Sequence, residues 1–305
     1  MKPRRSILSI PGHIEKMHQK AALSSADVVM LDLEDSVPLP EKESARKIII
    51  NSIKNLDWQN KIVTFRINPV DSKFAWRDII EVVEAAGEKI DSLVIPKVNH
   101  PGDIHFVSRL LDGIEQNINL SKKIGIEASI ETAQGLENVS KIAKASERIQ
   151  TLVFGIADYS ESIGVNLVSL SGHGENEENI YPGHRWHYPL SLIVMTAKAN
   201  GLQAIDAPYG NFKNTTGLEK SSQISRALGC DGKWAIHPDQ IETINEVYSP
   251  TKEDMQFAAK IIAANEKAQN TGQGAIAVEG RMIDQATVRL AKQLYEKAKY
   301  LKLIK

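Results

Sequence analysis

Acidic and basic side chains in this chain stand at the ends of short apolar runs, and their types are those that hold cations and anions. Glu131 follows the run Ile124-Ile130, and Asp158 follows Leu152-Gly155. If these runs are neighbouring strands, about 4.8 Å apart, both carboxylates can reach one ion. Two carboxylates, with the other positions left to water and ligand oxygens, describe a Mg²⁺ site, and Mn²⁺ is an acceptable substitute. The competing reading is that each acid only caps the helix that follows it.

Arg66 lies inside Ile62-Ile67, an otherwise apolar run. A charge there needs a partner. Either it forms a structural ion pair with Glu34 or Asp35, or it clamps a substrate carboxylate or oxyanion, which its planar fork suits. The run Val28-Asp32 ends among three acids, Asp32, Glu34 and Asp35. Alternation sends Asp32 and Glu34 to one face and Leu33 to the other, so some of these acids can hold Arg66 or metal-bound waters. Pro208 and His237 follow two later runs and are candidate substrate-site residues. Lys16, Lys20, Lys42 and Arg46 flank the mouth that the first two runs would form; Lys16, Lys20 and Arg46 are candidate partners for an anionic ligand, although most surface lysines are merely solvated.

Eight apolar runs position these residues: Ser6-Ile10, Val28-Asp32, Ile62-Ile67, Leu93-Ile95, Ile124-Ile130, Leu152-Gly155, Ala204-Ile205 and Trp234-Ile236. Short continuous runs are the mark of parallel strands buried on both faces. Between them lie helical stretches, at Glu15–Leu23, Glu41–Leu56, Trp76–Ala86, Ile104–Ile118 and Gly135–Ala145. Strand and helix alternating eight times predict an α/β fold, a closed (β/α)8 TIM barrel with functional groups past the strand ends. An open doubly wound sheet is disfavoured, because no Gly-rich phosphate turn follows the first strand. The barrel fills 1–248. Residues 249–305 read as a helix-strand-helix lid: a helix from Ser249-Pro250-Thr251 to about Gln269, a strand at Ala275–Val278, a turn at Gly280–Asp284 and a helix at Ala286–Lys299. Such a tail often docks on its own or a neighbouring subunit. The gap between the sixth and seventh runs is too long, and its surplus around Val165–Pro189 reads as a loop on the catalytic face. His184 and His187 within it suggest zinc only weakly, since no third ligand is near.

Composition excludes other classes. The 305 residues are 42% hydrophobic and carry a formal net charge of −1, so no basic face for nucleic acid is expected. No stretch reaches the roughly 18 apolar residues of a membrane span. The basic start Met1–Arg5 precedes a run too short for a secretory signal core. The single cysteine, Cys230, allows no disulfide within the chain, fits the reducing cytoplasm, and reads as a buried small residue rather than a nucleophile.

Nine strings in order carry a resemblance: Ser9–Gly12, Leu31–Val37, Phe65–Pro69, Ile95–Val98, Ile130–Ala133, Val153–Asp158, Ile205–Tyr209, Gly232–Pro238 and Gly280–Asp284. Together they span essentially the whole chain, and the chain resembles the citrate lyase beta subunit-like (HpcH/HpaI aldolase) family. The 181–188 insertion and Asp206–Phe212 are more similar to its malyl-CoA/β-methylmalyl-CoA lyase branch. The resemblance implies a Mg²⁺-dependent barrel that makes or breaks a carbon–carbon bond beside a CoA thioester. It implies Glu131 and Asp158 as metal ligands, Arg66 as the substrate clamp, and Asp284 as an acid supplied by the lid of a neighbouring subunit. It also implies a homotrimer or a hexamer built as a dimer of trimers. The expected reaction splits malyl-CoA or β-methylmalyl-CoA into glyoxylate and acetyl-CoA or propionyl-CoA. Citramalyl-CoA lyase, malyl-CoA thioesterase and a non-catalytic lyase subunit are the alternatives.

Overall fold

The computed structural model describes residues 2–165, 185–271 and 276–304. It divides into two compact units, Met1–Tyr248 and Ser249–Lys305. In the first, eight parallel strands close on themselves. They are β1 (Ser6–Pro11), β2 (Val28–Asp32), β3 (Ile62–Arg66), β4 (Ser92–Ile95), β5 (Gly125–Ile130), β6 (Ile149–Phe154), β7 (Gln203–Asp206) and β8 (Gly232–Ala235). Closure joins β1 to β8 with Ile7 opposite Trp234.

Alternation along the strands builds two apolar layers. Ile7, Met30, Val94, Val153, Ile205 and Trp234 form one cluster that fills the lumen. Their sequence neighbours, among them Leu8, Leu31, Leu93, Leu152 and Ala204, belong to a second cluster shared with the helices. Both faces are buried, which is why each strand reads as an unbroken hydrophobic run.

The surrounding helices are α1 (Glu15–Ala22), α2 (Lys42–Asn55), α3 (Ala75–Ala86), α4 (Pro101–Asn117), α5 (Ala133–Glu137), α6 (Val139–Ile142), α7 (Ile156–Ser162), α8 (His187–Ala199), α9 (Thr215–Leu228) and α10 (Ile241–Val247). Helix α3 turns Ile79, Val82, Val83 and Ala86 inward, a helical stripe. Helix α4 begins with Pro101 behind a reciprocal His100–Asp103 cap. The stretch expected as one helix over Gly135–Ala145 is two short ones. At the junction the Asn138 amide donates to the carbonyls of Asn99 (3.1 Å) and Gln134 (3.2 Å), a local alternative to continuing the helix.

The second unit holds α11 (Lys252–Thr271), β9 (Ile276–Val278), β10 (Arg281–Ile283) and α12 (Gln285–Tyr300). Its core is Ala258, Ile261, Val278, Ile283, Val288 and Ala291. It is a helix-hairpin-helix, not the expected helix-strand-helix. Residues 281–283, read as a turn, pair antiparallel with β9. The turn itself is Glu279-Gly280, with φ of 51° and 76°, the two positive values that a tight hairpin turn requires. No helix among the described residues is long and apolar enough to cross a membrane. Most of the 165–190 surplus, including His184, lies outside the described residues; His187 opens α8 and is exposed.

Candidate active site

The lumen turns polar where β2, β3 and β5 end. Asp32 and Arg66 face each other in register. Arg66 donates to Asp32 through Nε and Nη2, both at 2.7 Å, and its Nη1 lies 2.7 Å from Glu34 Oε2. The Trp234 ring lies 5.6 Å from the guanidinium carbon, a cation–π contact. Burial works against the charge on Arg66, but Asp32 and Glu34 outweigh it and hold the guanidinium protonated. Burial likewise raises the Asp32 carboxyl, yet Arg66, Ser36 and the Glu34 amide bring it below the ordinary aspartate range. For Glu34 burial wins, and its carboxyl is raised despite Arg66 and Lys97. The partner of Arg66 is thus Asp32 first and Glu34 second; Asp35 is exposed and does not reach it.

Glu131, one residue past β5, is buried, and its Oε1 accepts from the Lys97 backbone N–H at 2.6 Å. A Cβ at Gly155 would collide with the Glu131 carboxylate, so glycine is what lets that side chain lie across the end of β6. Burial, followed by the charges of Glu34 and Asp158, pushes the Glu131 carboxyl up to about 7. Asp158 sits in the first turn of α7, a quarter exposed, 3.2 Å from Lys97 Nζ. Neither acid is a helix cap. Thr132 caps α5, accepting from Gly135 N at 2.9 Å, and Gly155 stands at the α7 cap position.

Lys97 is the residue that sequence reasoning left without a role. Its ammonium donates to Glu34 Oε1 at 2.5 Å and lies 3.4 Å from Asp35 Oδ2 as well as 3.2 Å from Asp158. Burial lowers its affinity for the proton, but Glu34 and the neighbouring acids raise it further, so it stays charged. The available signal was position: Lys97 follows a strand end, as the site acids do.

The remaining candidates divide. Pro208 is half-buried past β7, and Gln240 holds the next residue by donating to the Tyr209 carbonyl at 2.7 Å. His237, past β8, stacks on Phe212 with centroids 4.6 Å apart. Lys16 and Lys20 are exposed on α1, directly past β1. Between them and the strand, Gly12 donates to the Asp32 carbonyl at 2.8 Å, too close to admit a side chain. Arg46 departs from the expectation of an open anion site. It is buried on α2, with Nε on Asp78 and Nη1 on Glu81, both at 2.9 Å, so its charge is committed within the helical layer. Lys42 is buried too, donating to the carbonyls of Leu33 (2.7 Å) and Glu34 (2.6 Å) and so fixing the loop after β2. Burial pushes the Cys230 thiol well up, which suits a packing residue rather than a nucleophile. Asp284 belongs to the second unit. There it caps α12, accepting from Thr287 N at 2.7 Å and Oγ1 at 2.8 Å, bonds that lower its pKa.

Among the described residues no group of three His, Cys, Asp or Glu side chains stands ready to hold a metal ion. Glu131 and Asp158 stand near one another at the barrel mouth, with Glu34 beside them and Arg66 and Lys97 as countercharges. Oxygen-only ligands of this kind suit a hard divalent cation such as Mg²⁺.

Three comparisons bear on this site. A model of the HpcH/HpaI aldolase/citrate lyase family matches residues 5–238. An L-malyl-CoA/β-methylmalyl-CoA lyase of Cereibacter sphaeroides is 36% identical over 98% of this chain and 96% of its own. A malyl-CoA/β-methylmalyl-CoA/citramalyl-CoA lyase of Chloroflexus aurantiacus is 33% identical over 99% of this chain and 89% of its own. The citrate lyase beta subunit of M. tuberculosis, solved with oxaloacetate and magnesium, is 25% identical, with a TM-score of 0.65 over 81% of this chain and 98% of that one. Closed barrel, paired acids at its carboxyl-terminal rim and near full-length similarity agree, and the chain belongs to the HpcH/HpaI aldolase/citrate lyase family.

Proposed function

We propose that this protein is a Mg²⁺-dependent carbon–carbon lyase that reversibly cleaves malyl-CoA or β-methylmalyl-CoA to glyoxylate and acetyl-CoA or propionyl-CoA. The observation that carries the reading is the convergence of Glu131, Asp158 and Arg66 at one end of the barrel, where such enzymes keep their chemistry. The names of the C. sphaeroides and C. aurantiacus relatives support the substrate class, and the magnesium bound to the M. tuberculosis relative supports the metal.

Glu131 and Asp158 would hold the ion. Bound there, Mg²⁺ supplies Lewis acidity to the carbonyl of the 2-oxo acid. Arg66 orients the substrate carboxylate. Asp32 takes one N–H from Nε and one from Nη2, and Nη1 meets Glu34 only as an ion pair; an arginine carries five N–H groups, so donors remain for a ligand. Asp32 also locks the guanidinium plane, so the clamp is rigid before substrate arrives. Asp284, brought by the C-terminal unit of a neighbouring subunit in a homotrimer or hexamer, would take the proton from the α-carbon of the acyl group in the condensing direction. Pro208 and the stacked His237–Phe212 pair line the approach, and Lys16 and Lys20 meet the CoA phosphates. The protein would work in the cytoplasm, where its single buried thiol stays reduced.

The C. aurantiacus relative's name favours a second substrate, citramalyl-CoA, for which the 2-oxo acid is pyruvate. The deciding experiment incubates purified protein with Mg²⁺, acetyl-CoA or propionyl-CoA, and glyoxylate or pyruvate. Condensation with glyoxylate is expected. Condensation with pyruvate alone makes it a citramalyl-CoA lyase. A parallel incubation with malyl-CoA that releases free CoA without glyoxylate makes it a thioesterase, and no reaction with malyl-CoA or with any pair leaves a non-catalytic subunit.

A further inference from the structure

We infer that Lys97 is a built-in countercation for the acid cluster, and that its ammonium competes with a divalent ion and sets how tightly that ion is held. The inference rests on Glu131 and Asp158 being the metal ligands, and it deepens that reading by naming what regulates their affinity.

The geometry of Lys97 is unusual at both ends. Its backbone has φ of 49°, the left-handed region that a residue with a side chain seldom adopts. Such conformations persist where the surroundings enforce them. Here that conformation accompanies an amide aimed at Glu131 Oε1, 2.6 Å away. The side chain runs back over the cluster, with Nζ 2.5 Å from Glu34 Oε1, 3.4 Å from Asp35 Oδ2 and 3.2 Å from Asp158 Oδ1. One residue thus meets four carboxylates carried by the β2 loop, the end of β5 and the start of α7.

The contacts are unequal, and that decides what an arriving cation can displace. Glu34 is nearly fully buried and takes a short hydrogen bond from Lys97. Asp158 is more open and meets the ammonium only as an ion pair. Arg66 answers Asp32 and one oxygen of Glu34. Lys97 is the cation that pairs with Asp158, at 3.2 Å. A divalent ion shared by Glu131 and Asp158 must therefore take Asp158 from Lys97, while Glu34 keeps the ammonium in the cluster. The cost is electrostatic: the ion binds beside a fixed positive charge, and its affinity is lower than the two acids alone would give.

The test is calorimetric titration of Mg²⁺ into the full-length protein without substrate, at pH 8.5 where Glu131 is ionised and at low ionic strength. Lys97→Met and Lys97→Gln remove the charge; Lys97→Arg keeps it. Both neutral variants are expected to bind Mg²⁺ about tenfold or more tightly than the wild type, the size of effect that one nearby charge exerts at a partly exposed site. Lys97→Arg is expected to bind within a few-fold of the wild type. In thermal melts the neutral variants should show a lower metal-free Tm and a larger rise on adding Mg²⁺. If Lys97 only props the loop, the neutral variants will bind Mg²⁺ more weakly or equally, and that result overturns the inference. The Gln variant, which can still bond Glu34, keeps the test open if the Met variant fails to fold. A wild-type protein that binds no Mg²⁺ would instead remove Glu131 and Asp158 as ligands, a different failure read in the same titration.

Discussion

Glu131 carries the most measurable consequences of any single residue. Its carboxyl is pushed up to about 7 from an ordinary 4.5, so the folded protein binds that proton more tightly than the unfolded chain does. Without a divalent ion, this residue's contribution to stability falls as pH rises from 4.5 to about 7, by an amount on the order of 3 kcal/mol. Glu131→Gln should flatten that slope, visible as a metal-free Tm less sensitive to pH than the wild type's, and should remove Mg²⁺ binding and turnover together. A variant that still binds Mg²⁺ at wild-type strength contradicts the ligand role. Arg66→Ala is a poor probe of the clamp, since it strands Asp32 and Glu34 in the lumen and should cost about 3–5 kcal/mol of stability. Arg66→Lys keeps the charge and loses the two-point contact with Asp32; it should raise the KM for the 2-oxo acid, and a defect limited to CoA affinity would speak against the clamp. Asp284→Asn separates cleanly, because asparagine caps a helix as well as aspartate. Tm and Mg²⁺ affinity should hold while turnover collapses; unchanged turnover removes Asp284 from the chemistry.

At the scale of elements, the barrel was legible in the sequence because strands buried on both faces leave unbroken apolar runs, and each of the first five runs was followed by a helical stripe. What was not legible was local competition. Asn138 splits a helix by bonding carbonyls that periodicity knows nothing about. Glu279-Gly280 makes a hairpin whose second strand is only three residues long, too short for an alternation signal. The gathering of Glu34, Glu131, Asp158 and Arg66 at one rim was legible, since charges inside or just past apolar strands stand out. Arg46 was misread because its partners, Asp78 and Glu81, lie on the next helix, and nothing in the sequence spacing joins them. Lys97 was missed because lysines after strands are common and its backbone conformation is invisible in sequence. The junction of β6 and α7 offers an element-scale test. Gly155→Ala drives a methyl group into the Glu131 carboxylate, and should cost about 1–3 kcal/mol while weakening Mg²⁺ binding. Retained affinity with a lower Tm would mean that the carboxylate moves aside without leaving the ion.

On the scale of the whole molecule, the chain forms two units with separate cores. The barrel carries Glu131, Asp158 and Arg66, and the C-terminal unit carries Asp284, so the proposed chemistry needs both. A chain ending at Tyr248 should melt cooperatively and bind Mg²⁺, yet show no turnover. If Asp284 is supplied across a subunit boundary, mixing Asp284→Asn with Glu131→Gln protein and allowing exchange should restore part of the activity that each lacks; no recovery after demonstrated exchange places the acid within its own chain. The seam between Ile7 and Trp234 has a consequence for biosynthesis. The first stave has the second on one side and nothing on the other until the eighth has left the ribosome, so for most of translation the nascent sheet has two raw margins. Each margin can recruit strands from other nascent chains, and pairing partners so distant in sequence slows the search for the closed form. Yield in the cell should therefore depend on chaperones that shield those margins during synthesis more than on the stability of the finished barrel.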